Sequence, residues 1–467
     1  MNTFLPTFST ALAASCAITL SLQASELTPH QQLGRDIYQE LIETDTTHST
    51  GDTTKAAESL ARRFRDAGFS EADVRIIGPA ARNKNLVVRY RGAGTKPPVA
   101  LLAHLDVVEA KREDWSLDPF KLTERNGFFY GRGTADDKGG ATTLSAALLR
   151  LRRENFKPNC DLILALTSGE EGGSEDDGAK WLLTNRRDLV NARFCLNADA
   201  GGPQKRHGKY LTYSVQAAEK IYQSFRLEVK GSGGHSSVPT KDNPIYRLAA
   251  GLLHLSQFEF PPRFSEITRG YFQKMSAIET GQTAADMRAI LKTPPDPDAL
   301  KRLAASPFHN ALLRTTAVAT MLEGGHAENA LPQTARATVN CRLLPDESPE
   351  EVAKTLRRVL ADDQISLTPI EPAQIGPASP LAPEIMQAIE QAKEKLWPGL
   401  PVLPVMETGA TDGLFFRQLG IPTYGIIGIA ADLDDIREHG KDERVAVKDF
   451  YDALEFEYQL IKSISTD

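Results

Sequence analysis

Short, wholly apolar runs that alternate with helical stretches predict an α/β protein, in which a largely parallel mixed sheet is flanked by helices. A run such as Val99-Ala100-Leu101-Leu102 suits a strand buried on both faces, the usual state of a parallel strand between two helical layers. A middle stretch with its own strand–helix–strand–helix order predicts a smaller α+β domain inserted into the larger one. The division that results is a larger domain of residues 25–219 and 373–467, with an insert of residues 220–372.

In order along the chain, residues 33–67 carry a helical pattern broken at 44–54. Residues 85–90 and 98–103 read as strands, 141–153 as an amphipathic helix, 161–166 as a second buried strand, 178–183 as the start of a helix and 194–197 as a short strand. Within the insert, 222–229 alternates as a strand and runs into Gly231-Ser232-Gly233-Gly234. A helix at 244–255, a strand at 335–343 and a helix at 349–360 follow. The stretch 261–320 is rich in Pro, Arg and Thr and poorly periodic, and is assigned to the insert as an elaboration of it. A helix at 385–396, a strand at 422–429 and a closing helix at 447–464 complete the larger domain.

Composition excludes several classes. With 41% hydrophobic and 25% charged residues the chain is not a disordered one. Its net charge of −7 supplies no sequence-wide attraction for phosphate backbones, which argues against a nucleic-acid partner. The four cysteines, Cys16, Cys160, Cys195 and Cys341, match neither a CxxC zinc site nor a disulfide framework, and the last three read as small buried hydrophobes. Residues 11–22 are small and apolar, too short to span a bilayer, and end in Leu22-Gln23-Ala24 before a polar stretch. Residues 1–24 therefore read as a secretory signal peptide, although the segment lacks a basic residue, and predict a periplasmic or secreted protein with no integral membrane segment in its mature form. Without cleavage the protein would be cytoplasmic.

Five polar clusters follow apolar runs, where an open α/β sheet gathers its functional groups. The first is His104-Leu105-Asp106. On an extended segment both outer side chains point the same way, so His104 can ligate a metal while Asp106 holds its other ring nitrogen. The second, Gly131-Arg132-Gly133-Thr134-Ala135-Asp136-Asp137-Lys138-Gly139-Gly140, reads on its own first as a helix cap, although its glycines also permit the close backbone approach that a metal or anion site needs. The third, Ser168-Gly169-Glu170-Glu171-Gly172-Gly173, sets two adjacent carboxylates on opposite sides of the chain, one free to bind metal and the other to act as a general base. Asn197-Ala198-Asp199 and Arg437-Glu438-His439-Gly440-Lys441-Asp442-Glu443-Arg444 are the fourth and fifth, and either alone passes for a polar turn. Together, two histidines and three carboxylates without thiolates suit a hydrolytic site for two divalent ions, zinc first, with cobalt or manganese also open.

In order and spacing these clusters resemble the M20 metallopeptidases, which include carnosinase-type dipeptidases, aminoacylases, glutamate carboxypeptidases, acetylornithine deacetylases and succinyl-diaminopimelate desuccinylases. The resemblance runs from about Leu33 to the C-terminus. It implies that His104 and Asp199 bind one ion, that Glu171 and His439 bind the other, and that Asp136 bridges both. It implies further that Asp106 orients His104, that Glu170 is the general base, and that the Asp136–Asp137 peptide is cis. The insert would be the family's lid or dimerisation domain. Its His235, in Gly233-Gly234-His235-Ser236-Ser237, would reach the site of a neighbouring subunit and bond the developing oxyanion, which makes a homodimer the implied state. Asn329 and Arg342 resemble the contacts to a substrate carboxylate, and Gly409-Ala410-Thr411-Asp412-Gly413 resembles a loop facing the substrate.

The implied activity is a zinc-dependent exopeptidase acting on dipeptides or C-terminal residues, with an N-acyl amino acid amidohydrolase as the alternative. In both cases the substrate carries a free carboxylate. A non-catalytic peptide-binding homologue is opposed by the intact Glu170 and ligand set.

Overall fold

The apolar runs of the sequence become the centre of a ten-stranded mixed sheet in a computed structural model that describes residues 26–172 and 177–466. The signal-peptide reading of residues 1–24, Cys16, and the acidic residues Glu175 and Asp176 lie outside the described residues. Strands Val99–His104, Leu162–Thr167, Phe194–Asn197 and Thr423–Gly425 form a parallel centre. Antiparallel strands Asn85–Tyr90 and Val74–Ile77 extend one side. On the other side lie Lys209–Glu219, Gly202–Arg206 and Val402–Glu407, the last pairing parallel with Lys209–Glu219.

The central strand shows why the run at 99–102 has no polar face. Val99, Leu101 and Ala103 enter one core cluster, while Ala100 and Leu102 enter another on the opposite face. Helices Pro29–Ile42, Lys138–Arg153 and Val447–Ile464 cover the first face; Gly178–Asn185 and Gly413–Gln418 cover the second. The strand Val402–Glu407 escapes a reading by pattern because it contains Pro404, which usually argues against an inner strand.

The insert has a four-stranded antiparallel sheet in the order Thr316–Gly324, Thr334–Leu343, Ile221–Lys230, Ser366–Pro369, and helices Pro244–Gln257 and Pro349–Leu360 pack on one of its faces. A two-stranded ribbon pairs Gly234–His235 with Ala330–Leu331.

The structure departs from the sequence reading at 261–320. This stretch is mostly four short helices, Glu266–Ile278, Gly281–Ile290, Pro297–Ala304 and Pro307–Leu313. Their residues Ile267, Phe272, Met287, Ile290, Leu303 and Leu313 bury in the large domain's core, not in the insert's. Lys274 Nζ also donates to the Val402 carbonyl at 2.6 Å, on a strand of the large sheet. The chain thus leaves the insert after Phe260, packs four helices against the larger domain, and re-enters at Thr316. Three of these helices have ten residues or fewer, and the fresh starts at Ser265, Pro297 and Pro307 interrupt any continuous period in sequence.

Candidate metal centre

Strand register brings three of the five clusters together. His104 ends its strand opposite Thr167, so Glu170 and Glu171 lie just beyond it on one side. On the other side Leu102 pairs with Asn197, which brings Asp199 level with His104. Asp136 arrives from the loop before the Lys138–Arg153 helix, and His439 from a turn between Ala431–Asp432 and Arg444–Ala446.

Around His104 the geometry is closely defined. Its Nδ1 donates to the backbone carbonyl of Asp106 at 3.0 Å, which leaves Nε2 facing Asp136 Oδ1 at 2.9 Å and Asp199 Oδ1 at 3.6 Å. The Asp106 carboxylate stands 3.8 Å from the ring. It accepts instead from the N–H groups of Glu170 (3.3 Å) and Glu171 (2.9 Å). Sequence reasoning gave Asp106's side chain the task of orienting His104. In the structure its main chain holds the ring and its side chain holds the two glutamates. A strand pattern gives the direction of a side chain but not which of its residue's oxygens makes the contact.

Asp136 faces both histidines with different atoms, Oδ1 towards His104 and Oδ2 towards His439 Nε2 at 3.0 Å. His439 Nε2 also lies 2.9 Å from Glu171 Oε1. The peptide between Asp136 and Asp137 is cis. Asp137 occupies the cap position of the next helix but makes no side-chain cap bond; its Oδ2 accepts from the His104 N–H at 3.1 Å. Plain helix capping therefore does not account for the paired aspartates.

The charge balance points to cations. Ligand atoms of His104, Asp136 and Glu171 lie within 4.8 Å of one another, and so do those of His104, Asp137 and Asp199. Among the described ion pairs no lysine or arginine joins Asp136, Glu171, Asp199 or Glu170. Buried acids in this excess are costly without positive charge. Burial alone would depress His104, but Asp199 and Asp136 outweigh it and hold the imidazole well above its usual value. His439, bonded to Asp136 and Glu171, is pushed up to about 10. Burial would raise Asp136, yet the two imidazoles hold it far below the carboxylate range. Asp199 is pushed up to about 6 by burial, against the pull of His104. Glu170 is raised well above the usual range, chiefly by burial, with Asp199 and Glu171 adding to it. Nitrogen and oxygen donors with an unbalanced negative charge fit divalent ions. A cavity of about 370 Å³ opens onto Asp136 and Asp199, lined in part by Phe128, Ile427 and Ile429.

The residues of the insert stand apart from this cluster. His235 is exposed, and its Nδ1 accepts from the N–H and hydroxyl of Ser237. Asn329 is exposed, its carbonyl accepting from Ser236 N–H. Arg342 stacks over the Tyr222 ring at 4.7 Å, and its Nη1 is buried with no partner among the described residues. The 409–413 loop turns inward: Thr411 Oγ1 donates to Glu219 at 3.2 Å, and Asp412 Oδ2 accepts from Thr167 Oγ1 at 2.5 Å. It braces the strand that leads to Glu170.

Comparison with known proteins gives the family and the fold. The model of the family described as peptidase family M20/M25/M40 matches residues 100–463. The N-fatty-acyl-amino acid synthase/hydrolase PM20D1 of Homo sapiens is 29% identical over 385 residues, which cover 79% of this chain and 74% of that protein. The probable carboxypeptidase S-like 2 of Dictyostelium discoideum is 28% identical over 399 residues, covering 82% of this chain and 74% of that one. Among solved structures, the metallo-carboxypeptidase Sso-CP2 from Sulfolobus solfataricus superposes with a TM-score of 0.69 at 19% identity, over 92% of this chain and 99% of that chain.

Proposed function

This chain belongs to peptidase family M20, and from that premise we propose that it is a two-ion hydrolase that cleaves the amide bond between an acyl group and an amino acid bearing a free carboxylate. The observation that carries the proposal is Asp136, whose two oxygens face two different imidazoles, as a carboxylate shared between two ions requires. His104 and Asp199 would hold one ion, and His439 and Glu171 the other. Divalent ions bound there supply Lewis acidity, polarising a carbonyl oxygen and acidifying water. The absence of thiolates favours zinc, with cobalt or manganese open.

The protein's own groups do the rest. Glu170 stands just beyond the strand that ends opposite His104, and burial raises its affinity for a proton, the direction that favours a general base. It takes the proton of the attacking water and returns it to the leaving nitrogen. Asp106 holds the main chain of Glu170 and so fixes where that proton is received. Arg342 offers a buried, unpartnered N–H to the substrate carboxylate, and Asn329 lies on the same insert.

The similarity to a fatty-acyl amino acid synthase/hydrolase favours N-acyl amino acids as substrates. The similarity to a probable carboxypeptidase keeps an exopeptidase acting on dipeptides or C-terminal residues as the second reading. A hydrolysis panel of N-acyl amino acids and dipeptides, run on protein of measured metal content, decides between them. Failure to turn over either class with two ions bound would sink both.

Two further expectations complete the proposal. The edge strand Thr316–Gly324 exposes Val318, Met321 and Leu322, and the neighbouring helix exposes Tyr246 and Leu253; this apolar face suits a second copy, which would form the homodimer in which His235 acts across subunits. Mixing His235→Ala with Glu170→Gln subunits should then restore activity, and no recovery after subunit exchange would refute it. Residues 1–24 are proposed as an export signal, which sequencing of the mature N-terminus would test. Among the described residues no helix is long and apolar enough to cross a membrane.

A further inference from the structure

His439 poses a structural problem that His104 does not. Its side chain is 55% exposed and its backbone is left-handed, with φ of 59°. Packing therefore does little to set where its ring points. Four residues on, Glu443 is fully buried and receives a dense set of donors. Oε1 accepts from the N–H groups of Ala135 at 2.7 Å and Asp136 at 3.2 Å. Oε2 accepts from the Gly133 N–H at 3.1 Å and from Arg132 Nη1 at 2.6 Å. The Glu443 carbonyl accepts from the Gly131 N–H at 3.1 Å. Arg132 then uses Nη2 to donate to the carbonyl of Gly440, the residue after His439, at 2.9 Å.

The 131–136 loop is thus wrapped around one carboxylate, with its N–H groups turned inward as a concave anion nest. Gly133 makes the wrapping possible: its φ is 86°, and a Cβ there would meet Lys138 and Val107 at 2.9 Å. One end of the network is the main chain of Asp136, which faces both imidazoles. The other end is the turn that carries His439.

We propose that Glu443 is a positioning residue for the second ion site. By gathering the Asp136 loop and the His439 turn onto one buried carboxylate, it sets the separation between those two ligands. The inference rests on the two-ion reading above. It assigns Glu443 no contact with an ion or a substrate. Outer groups that orient metal ligands typically cost 10–100-fold in metal affinity when removed.

The test is Glu443→Gln, which keeps the volume but turns an NH2 group towards donors that need an acceptor. Wild type and variant, purified with their ions, are equilibrated against graded zinc–chelator buffers and their bound zinc is counted. The expected result is the ion assigned to His439 weakened on the order of 10–100-fold and the other clearly less, because only Asp136 is common to both, with a changed visible spectrum when cobalt fills the weakened site. Native affinity at both sites, with only a lower melting temperature, would make Glu443 a purely structural anchor and overturn the inference. Equal weakening of both ions would overturn it too.

Should Glu443→Gln fail to fold, Arg132→Lys serves. It keeps the backbone donors on Glu443 but loosens the tie to Gly440, so selective weakening of one ion is again expected and unchanged affinity is again fatal. Wild type holding fewer than two ions would instead sink the two-ion reading, and this inference with it.

Discussion

The two histidines of the cluster offer the same donor atom from opposite structural situations. His104 is 2% exposed, ends a strand buried on both faces, and has its ring fixed by the Asp106 carbonyl. His439 is mostly exposed and rides on a turn held by a few polar ties: Arg132 to Gly440, Asp442 to Ser116, and Arg437 and Arg444 to Asp435. A ligand set by core packing is positioned by everything that makes the domain fold. A ligand on a turn is positioned by a handful of hydrogen bonds, each worth about 0.5–1.5 kcal/mol. The difference teaches that the two halves of one site should fail differently: the strand half together with the fold, the turn half while the fold stands.

The largest expected effect lies between the halves. Glu170→Gln should lower turnover on the order of 10²–10⁴-fold and leave both ions bound, as counted by elemental analysis. Loss of an ion in that variant would mean that Glu170 and Glu171 have exchanged roles, and the comparison would have to be redrawn around a different second ligand.

Next comes the direct contrast. In ion-stripped protein, His104→Ala leaves Asp136 and Asp199 without their buried imidazole, so urea unfolding should show a loss of about 3 kcal/mol. His439→Ala removes an exposed partner and should cost under about 1 kcal/mol. After reloading, the first variant should hold neither ion firmly and the second should keep one. Equal destabilisation by the two substitutions would break the comparison.

Arg342 tests whether the insert supplies selectivity rather than chemistry. Loss of a charge-assisted contact worth about 1.5–3 kcal/mol makes Arg342→Ala on the order of 10- to 100-fold poorer in kcat/KM on free-acid substrates. On the corresponding C-terminal amides it should change little. A loss as large on amides as on acids would remove Arg342 from carboxylate recognition.

The smallest effect sharpens the turn half. Asp442 bonds the N–H and hydroxyl of Ser116, both at 2.8 Å, and has a left-handed backbone with φ of 53°. Asp442→Ala should weaken one ion by about two- to tenfold, which corresponds to about 0.5–1.4 kcal/mol, without moving the other. Asp442→Asn, which tolerates that conformation, should retain most of the affinity.

Much of this was legible in the residues themselves, and the strand half more than the turn half. His104 after 100–103, Glu170 and Glu171 after 162–166, and Asp199 after 194–197 each follow an apolar run, and the ends of such strands are where α/β sheets place function. His439 stood in a polar stretch some way beyond the run 425–429 and alone passed for a polar turn, so only its company with the other four clusters drew it in. The task of Asp412 went unread because Pro404 hid the strand before it, and the placement of 261–320 because repeated fresh helix starts interrupt any continuous period.

The amino-acid sequence by itself determined which segments became buried strands and which chemical groups stood at their ends, because periodicity and burial are properties of neighbouring residues. Tertiary structure alone decided that Asp106 holds His104 through its carbonyl and the glutamates through its carboxylate, that the helices after Phe260 return to the large core, and that Glu443 closes on a loop three hundred residues earlier. Those outcomes depend on contacts between segments far apart in the chain. Which atom meets which is settled there by the packing of the whole core and by the demand that every buried polar group find a partner, and no local pattern carries that information.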